Sequence, residues 1–380
     1  MKRLTEMPPR YPNSGTFELT VRCNLHCKMC LFRHADSETA QLISQERTAA
    51  EWIDMARQAA EAGTLHLLIT GGEPLLRPDF CEIWEGIYRQ GFVLALYTNA
   101  VLVTPEIMRT LRRCPPHQIG VTLYGASAET YEAVCGDGAA FEKMLCGLEQ
   151  LMQLPSKLEI RTTLIRDNVD DLPAMEQLVR ERFGYDRHIV QSEYVIAPVR
   201  GGCAPTAECR LSPAENIRAT MAHTDRKIAE YFARRNMPVP EYSYTVEKTK
   251  QTPSGGQTLT LFDCNAGMDS YTISYDGRLL GCQLLGACCT QPFETGFAAA
   301  WERFPYEVHI PAQNPACGTC EVAEDCTVCC AVRAAETGQL NGCPDYFRQM
   351  AYEMKHLDDK RKADHTNERA ETVHKPRGAV

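Results

Sequence analysis

Three cysteines within eight residues, Cys23, Cys27 and Cys30, are the first side chains whose type and spacing could do chemistry. Three thiolates this close can surround one corner of an iron–sulfur cubane. A 4Fe–4S cluster takes four thiolates, so three leave one iron open to a substrate or cofactor. Zinc is the alternative, although His26 is the only nearby fourth ligand and sits awkwardly between the cysteines. Unpaired structural thiols are a third reading. A second group, between Cys264 and Cys343, holds Cys264, Cys282, Cys317, Cys320, Cys326, Cys330 and Cys343, with Cys288, Cys289 and Cys329 among them.

The chain has 380 residues and 19 cysteines, an odd number. A chain this long has ample material for a core and does not need disulfide staples. No run of about 18 apolar residues occurs, so no membrane span is expected. The N-terminus has two basic residues but no apolar stretch of a secretory signal. A cytoplasmic protein is expected, and thiols clustered by spacing in a reducing compartment point to metal. The net charge of -9 argues against a nucleic-acid-binding face.

The elements that must position these thiols alternate. Strands are expected over 16–21, 65–70, 92–98, 119–123, 158–165 and 189–196, from their Val, Ile, Leu and Thr content and their flanking Gly, Asn or charged residues. Helical spacing fills 44–62, 78–90, 105–113, 128–134, 140–154 and 172–182, with Ala50, Ile53, Ala56, Arg57 and Ala60 on one stripe of the first. Six strand–helix repeats predict an α/β fold, a partial (β/α)6 TIM-type barrel over 14–200. Residues 201–260 read as a linker with helices over 211–235 and a Gly/Ser/Pro-rich loop at 248–257. Residues 261–347 form a small Cys-rich domain whose thin apolar core calls for inorganic staples. Residues 348–380 are almost wholly polar beyond His356 and read as a solvated, flexible tail.

Gly71-Gly72-Glu73-Pro74 follows the second strand. Glycines there let the backbone approach a ligand closely, and exposed N–H and C=O groups can grip a polar molecule. A simple tight turn would read the same way. Placed after strand two, with the three cysteines after strand one, both segments lie at the C-terminal face where barrel active sites sit.

With these motifs, residues 14–200 resemble the radical S-adenosylmethionine superfamily. The resemblance implies that Cys23, Cys27 and Cys30 hold a reducing 4Fe–4S cluster whose open iron is chelated by S-adenosylmethionine. It implies that Gly71, Gly72 and Glu73 hold the methionyl amino group. Thr98 and Asn99 resemble a "TNG" segment near the cofactor, with Ala100 replacing the glycine. Thr122 matches the Ser/Thr of an "SLDG" segment, and Tyr124 departs from its aspartate. Met29 stands where the family often has an aromatic residue. Arg161, on strand five, is a candidate partner for the cofactor carboxylate or for a barrel-mouth salt bridge.

The C-terminal cysteines run Cys264-x12-Gly277-x4-Cys282, then Cys317-x2-Cys320-x5-Cys326-x3-Cys330, then Cys343. Residues 271–277 read as a strand entering a turn at Asp276-Gly277. The spacing resembles the SPASM extension, which implies two auxiliary 4Fe–4S clusters. Cys264, Cys282 and Cys330 would hold the first, and Cys317, Cys320, Cys326 and Cys343 the second, making three clusters in all. The first then has three matched ligands; either it is open or Cys288, Cys289 or Cys329 supplies the fourth. A zinc knuckle over Cys317–Cys329 is the alternative.

The resemblance implies homolysis of the sulfonium C–S bond, a 5′-deoxyadenosyl radical, and hydrogen abstraction from an unactivated C–H bond. A peptide or protein substrate is expected, oxidised to a thioether or carbon–carbon crosslink or to formylglycine. An electron donor such as flavodoxin or ferredoxin is implied. About 13 residues precede the first strand, too few for a leader-peptide recognition domain, so any such recognition is expected to fall to a separate recognition protein, to the barrel mouth, or to be absent. Radical peptide epimerisation is an alternative, with Cys203 or Cys209 as hydrogen donor. Oxidation of a small metabolite or porphyrin-like substrate is another, and a non-catalytic iron–sulfur or zinc scaffold a fourth. Glu193, on the last barrel strand, is a candidate to face the cavity, with no acid/base role assigned.

Overall fold

The computed structural model describes residues 8–185, 188–192, 195–240, 242, 260–262, 264–311, 314–326 and 328–373. In chain order they form β1 (Ser14–Glu18), α1 (Asp36–Ser44), α2 (Ala49–Glu61), β2 (His66–Thr70), α3 (Phe80–Tyr88), β3 (Val93–Thr98), α4 (Pro105–Arg113), β4 (Gln118–Thr122), α5 (Ala128–Cys135), α6 (Ala140–Leu151), β5 (Lys157–Thr163), α7 (Leu172–Phe183) and β6 (Val190–Ser192). Then follow α8 (Pro213–Ala233), β7 (Ser270–Ile273), β8 (Leu279–Leu280), β9 (Cys289–Thr290), α9 (Phe297–Arg303), α10 (Cys330–Thr337) and α11 (Asp345–Val373). Glu193 and the 248–257 loop lie outside the described residues.

The six expected strands are present and pair in parallel, in the order β6-β5-β4-β3-β2-β1. Helical crossovers let parallel neighbours follow one another, which gives the α/β partial barrel. One face of the sheet is apolar and fully buried, with Phe17, Ile69, Leu96, Val121 and Ile160. It packs under the helices; Phe17 meets Trp52 of α2 at 5.2 Å between ring centroids. The other face alternates with it and is partly open, carrying Thr16, Thr70, Tyr97, Thr122 and Arg161. Side-chain alternation along each strand therefore sorts a core face from a polar concave face.

The sheet is wider than six strands. β7 adds in parallel to the free side of β1, and β8 and β9 follow antiparallel, giving nine strands. Gly15 makes this possible. It lies opposite Tyr271, whose ring occupies the space a Cβ would need, at 2.5 Å from the phenolic oxygen. That hydroxyl reaches Thr64 Oγ1 at 3.0 Å and locks β7 onto the barrel.

Helical spacing over 44–62 resolves into two helices. Thr48 ends the break with a capping box: its hydroxyl accepts from the Glu51 N–H, and the Glu51 carboxylate accepts from the Thr48 N–H. The buried face of α2 is Ala49, Trp52, Met55, Ala56 and Ala59. The expected stripe thus shares only Ala56 with it. Arg57 points to solvent, bonded to Asp54 and Glu61, because Trp52 rather than Ile53 sets the inward direction.

The chain divides into two compact units. The first comprises Met1–Arg210, Thr258–Pro311 and Cys329–Leu340; the second comprises Leu211–Gln257, Ala312–Val328 and Asn341–Val380. The expected boundaries therefore shift: the Cys-rich segment contributes to both units, and α8 belongs to a folded unit rather than to a linker. The expected solvated tail is also corrected, since α11 runs through most of it. It packs against α8, with Phe347, Ala351 and Asp358 buried and Arg361 3.3 Å from Asp225. Polar composition reported solvation of one face; the Glu, Lys, Arg, Met and Gln of this stretch are also good helix formers.

Candidate active site

The loop after β1 carries Cys23, Cys27 and Cys30, and the fold holds it from three sides. Arg77, almost fully buried, donates to the Leu19 carbonyl at 3.0 Å and to the Arg47 carbonyl at 2.9 Å. Glu46 accepts from the Thr20 hydroxyl and the Arg22 guanidinium. At the far end, the His26 N–H donates to the Cys135 carbonyl at 2.9 Å and the Lys28 N–H to the Val134 carbonyl at 3.0 Å. The last turn of α5 thus brackets Cys27, while Leu25 and Met29 are buried beneath the loop.

The Gly71-Gly72-Glu73-Pro74 turn docks onto the same loop. The Gly72 N–H donates to the Thr20 carbonyl at 2.8 Å and the Glu73 N–H to the Arg22 carbonyl at 2.7 Å. A Cβ on Gly72 would lie 2.3 Å from the Arg22 carbonyl oxygen, so only glycine admits this contact. Here the glycine's space is taken by the cysteine loop's own backbone, not left open for a ligand. Glu73 is fully enclosed and accepts from Thr98 Oγ1 at 2.8 Å, the Asn99 N–H at 2.7 Å and the Leu75 N–H at 3.1 Å. Burial pushes its carboxyl up to about 7, against these hydrogen bonds that favour the anion.

Thr98 and Asn99 are therefore tied to Glu73, and Asn99 also donates to Asn24 Oδ1 at 2.9 Å. The cysteine loop, the glycine turn and the end of β3 form one hydrogen-bonded ledge. Ala100 has φ +60, which explains why this position favours glycine. Thr122 and Arg161 are register partners on β4 and β5, on the open face. The Arg161 guanidinium lies over the Tyr97 ring, 4.7 Å from its centroid, and 3.5 Å from Glu159. Both readings of Arg161 therefore keep an observation: a salt bridge exists, and the group stands at the mouth.

The donor set suits an iron–sulfur cluster. Cys23 is open to solvent on one side, yet the surrounding protein pushes its thiol well up, and Cys27, Glu73 and Cys30 add to the shift. The Cys27 thiol is also raised, first by its hydrogen bond with Cys135, then by burial. The Cys30 thiol is raised by burial and by Cys27. Thiols crowded so that none ionises readily are the arrangement a cationic centre relieves, because a coordinated thiol is deprotonated outright. Cys23 Sγ also accepts the Leu25 N–H at 3.5 Å. Among the described residues, no three His, Cys, Asp or Glu side chains converge as ligands of a single metal ion.

Two neighbours were invisible as site residues in the sequence. Tyr124, in place of the familiar aspartate, contacts the Cys27 thiol, and burial followed by Cys27 pushes its phenol far up. Cys135 is fully buried behind Cys27. A further pair closes the site: Arg200 donates to both Glu18 carboxylate oxygens at 2.7 and 2.8 Å, with both side chains buried. Its guanidinium lies over the Phe32 and Tyr275 rings. Burial, chiefly, raises the Glu18 carboxyl against the pull of Arg200. Spacing could not signal a pair 182 residues apart.

Beside Met29 and Leu31 opens a cavity of about 300 Å³, lined also by Thr163, Ser192, Val195, Ile196, Gln283 and Leu284. The candidate hydrogen donors lie elsewhere in environment. Cys203 is exposed, whereas Cys209 is buried and its thiol donates to the Thr206 carbonyl at 3.6 Å.

The auxiliary set also separates. Cys264, Cys282 and Cys330 fall in the first unit, and Cys317, Cys320, Cys326 and Cys343 in the second. Each unit thus contains one of the two sets that the resemblance implies as ligands.

Comparison with known proteins agrees with this geometry. The profile described as "Radical SAM superfamily" matches residues 17–179. An AdoMet-dependent heme synthase of Methanosarcina barkeri is 27% identical over 354 residues, covering 90% of this chain and 96% of its own. The mycofactocin maturase MftC of Mycobacterium ulcerans is 25% identical over 340 residues, covering 87% and 86%. In fold, Streptococcus suis SuiB bound to precursor peptide SuiA superposes with a TM-score of 0.66 at 15% identity, over 90% of this chain and 76% of that one. No helix among the described residues is long and apolar enough to cross a membrane. With the cysteine loop, the glycine turn and the end of β3 meeting in one ledge, residues 17–179 match a radical SAM domain, and the chain is an oxidoreductase-type enzyme.

Proposed function

We propose that this enzyme oxidises a peptide or protein at an unactivated C–H bond, as a post-translational modification of the crosslink or formylglycine type. The observation that carries this substrate class is the cavity beside the cysteine loop, whose lining among the described residues bears no charged side chain. Thr163, Ser192 and Gln283 supply hydroxyl and amide groups suited to a neutral peptide bond, and Met29, Leu31, Val195, Ile196 and Leu284 suit an apolar side chain. A substrate with several carboxylates would call for cations there.

When bound, the cluster and S-adenosylmethionine supply the 5′-deoxyadenosyl radical that abstracts hydrogen. The protein's part is holding and shielding. Cys23, Cys27 and Cys30 hold the cluster. The turn of Gly71, Gly72 and Glu73, with Thr98, Asn99, Thr122 and Arg161, holds the sulfonium's amino-acid and nucleoside parts. Tyr124 serves as a hydrogen-bond donor to the Cys27 sulfur, one of the levers that set a cluster's potential. Cys264, Cys282 and Cys330, and separately Cys317, Cys320, Cys326 and Cys343, hold two auxiliary clusters able to take back the substrate's electron.

A second reading, oxidation of an iron porphyrin, is favoured by the heme synthase that matches this chain along nearly its whole length. One experiment separates them. The anaerobically loaded enzyme, dithionite and S-adenosylmethionine are incubated with a short Cys- or Ser-rich peptide, or with an iron porphyrin bearing propionate arms. Loss of two hydrogens from the peptide, with 5′-deoxyadenosine formed in step, supports the proposal. Haem formed from the porphyrin supports the second reading and overturns the first. Deuterium gained at a peptide Cα in heavy water, without mass loss, would instead indicate epimerisation; Cys209, bonded to its own turn, is not suited to donate that hydrogen.

A further inference from the structure

A second cavity, of about 480 Å³, opens far from the cysteine loop. Its walls come from the segment before β1, with Tyr11 and Pro12, and from α9 and the turn after it, with Trp301, Pro305 and Tyr306. The Tyr11 N–H donates to the Met268 carbonyl at 3.0 Å and the Ser14 N–H to the Asp269 carbonyl at 2.9 Å, so the cavity lies where β1 and β7 begin. The cysteine loop leaves the opposite end of β1. All of these residues fall in the first compact unit.

Tyr11 and Tyr306 are 67% and 64% exposed, the two most exposed large apolar side chains among the described residues. One such ring alone would need no explanation. Two on the rim of one groove, above buried Pro12, Trp301 and Pro305, mark a docking surface. A polar observation says what would dock. Arg10 donates through Nε to the Gly267 carbonyl at 2.6 Å and through Nη1 to the Trp301 carbonyl at 2.8 Å, with its guanidinium 4.0 Å from the centroid of the Trp301 ring. Its Nη2 is buried with no hydrogen-bond partner among the described residues. A buried donor left without an acceptor is costly, so what the groove wants is an acceptor. Exposed Glu302, also in the lining, has no ionic partner among the described residues. It opposes an anion as that acceptor and suits a ligand with a positive charge.

Peptides dock on proteins as strands, helices or polyproline segments. A strand needs a free sheet edge, yet β1, β2 and β7 each have a neighbour on both sides. A helix has its carbonyls bonded within itself. A polyproline segment keeps its carbonyls free, lacks an N–H at each proline, and packs its rings on aromatic walls. We infer that this groove docks an extended, proline-rich peptide segment carrying a basic residue. The inference is independent of the proposed reaction.

The test uses the full chain and a short fluorescein-labelled peptide of the Pro-x-x-Pro type with a flanking arginine, read by fluorescence anisotropy without S-adenosylmethionine or reductant. Saturable binding is expected. Tyr11→Ala and Tyr306→Ala should each weaken it about tenfold. Glu302→Lys should weaken the arginine peptide more than one with glutamine in place of arginine. Peptide substitutions, read on the unsubstituted protein, do not depend on a variant's folding: replacing the prolines by alanine should abolish binding. Absence of saturable binding, equal binding of the alanine peptide, or unchanged binding in both tyrosine variants overturns the inference. So does self-association in sedimentation that the tyrosine substitutions abolish and the peptide does not compete with, since the occupant would then be a second copy of the chain. 5′-Deoxyadenosine formation tests the proposed reaction separately, and its failure would leave the anisotropy result standing.

Discussion

The two cysteine-bearing regions are built on opposite principles. The loop of Cys23, Cys27 and Cys30 is shaped by the barrel before any metal arrives: buried Arg77, Glu46, the glycine turn and the end of α5 all hold its backbone. The stretch from Pro315 to Cys326 has one short 3-10 turn and Val322 as its buried apolar side chain among the described residues. The first region is set to position a cluster; the second, on the proposed reading, would be positioned by one. The difference follows from chemistry. A reactive centre needs geometry set in advance, whereas a structural one can let metal binding supply the folding energy.

The largest expected effect tests the first half of that contrast. Cys27→Ala should abolish 5′-deoxyadenosine formation while leaving about eight of roughly twelve irons bound, counted by colorimetric assay. Retained cleavage would break the assignment of the loop. Chelating all iron tests the other half. Limited proteolysis should then cut within 314–328 at once and spare β1–β6; equal protection of both would erase the distinction.

Arg200→Ala comes next. It leaves Glu18 buried without its partner, which costs roughly 3–5 kcal/mol, measured by denaturant unfolding. A loss under about 1 kcal/mol would mean that the barrel mouth tolerates an unpaired carboxyl. The smallest effect is a pH dependence of the metal-free chain. Glu73 binds its proton more tightly folded than unfolded, with the folded value at about 7. The folded state therefore holds more protons between about 4.5 and 7, and stability contributed by this group falls as pH rises through that window, by on the order of 3 kcal/mol. Glu73→Gln should flatten the slope.

Much of the barrel was legible because local signals suffice for it. β-branched runs marked the strands, and helical spacing over 105–113 marked α4. The Cys23 loop and the Gly71 turn were legible because a barrel places both after strands at one face. What stayed hidden depended on distant partners. Glu18 and Arg200 meet only in space, as do β1 and β7. Tyr124 read as a departure from an aspartate, and only the fold showed its hydroxyl beside Cys27. Cys135 carried no signal of its own, because nothing in a single sequence says that α5 ends behind the cluster loop. The tail was misjudged because α11 is stabilised by α8, a helix more than a hundred residues earlier.

The pairing of β7 with β1 also bears on how this enzyme can be taken apart. β1 has β2 on one side and β7 on the other, so its backbone groups are satisfied on both. A chain cut before Ser270 would convert that central strand into a raw border, with Tyr271 gone and the hollow over Gly15 bare. Unpaired borders of that kind recruit other chains. The extension is thus also a guard against self-association, and a barrel isolated without it should precipitate before its chemistry can be assayed.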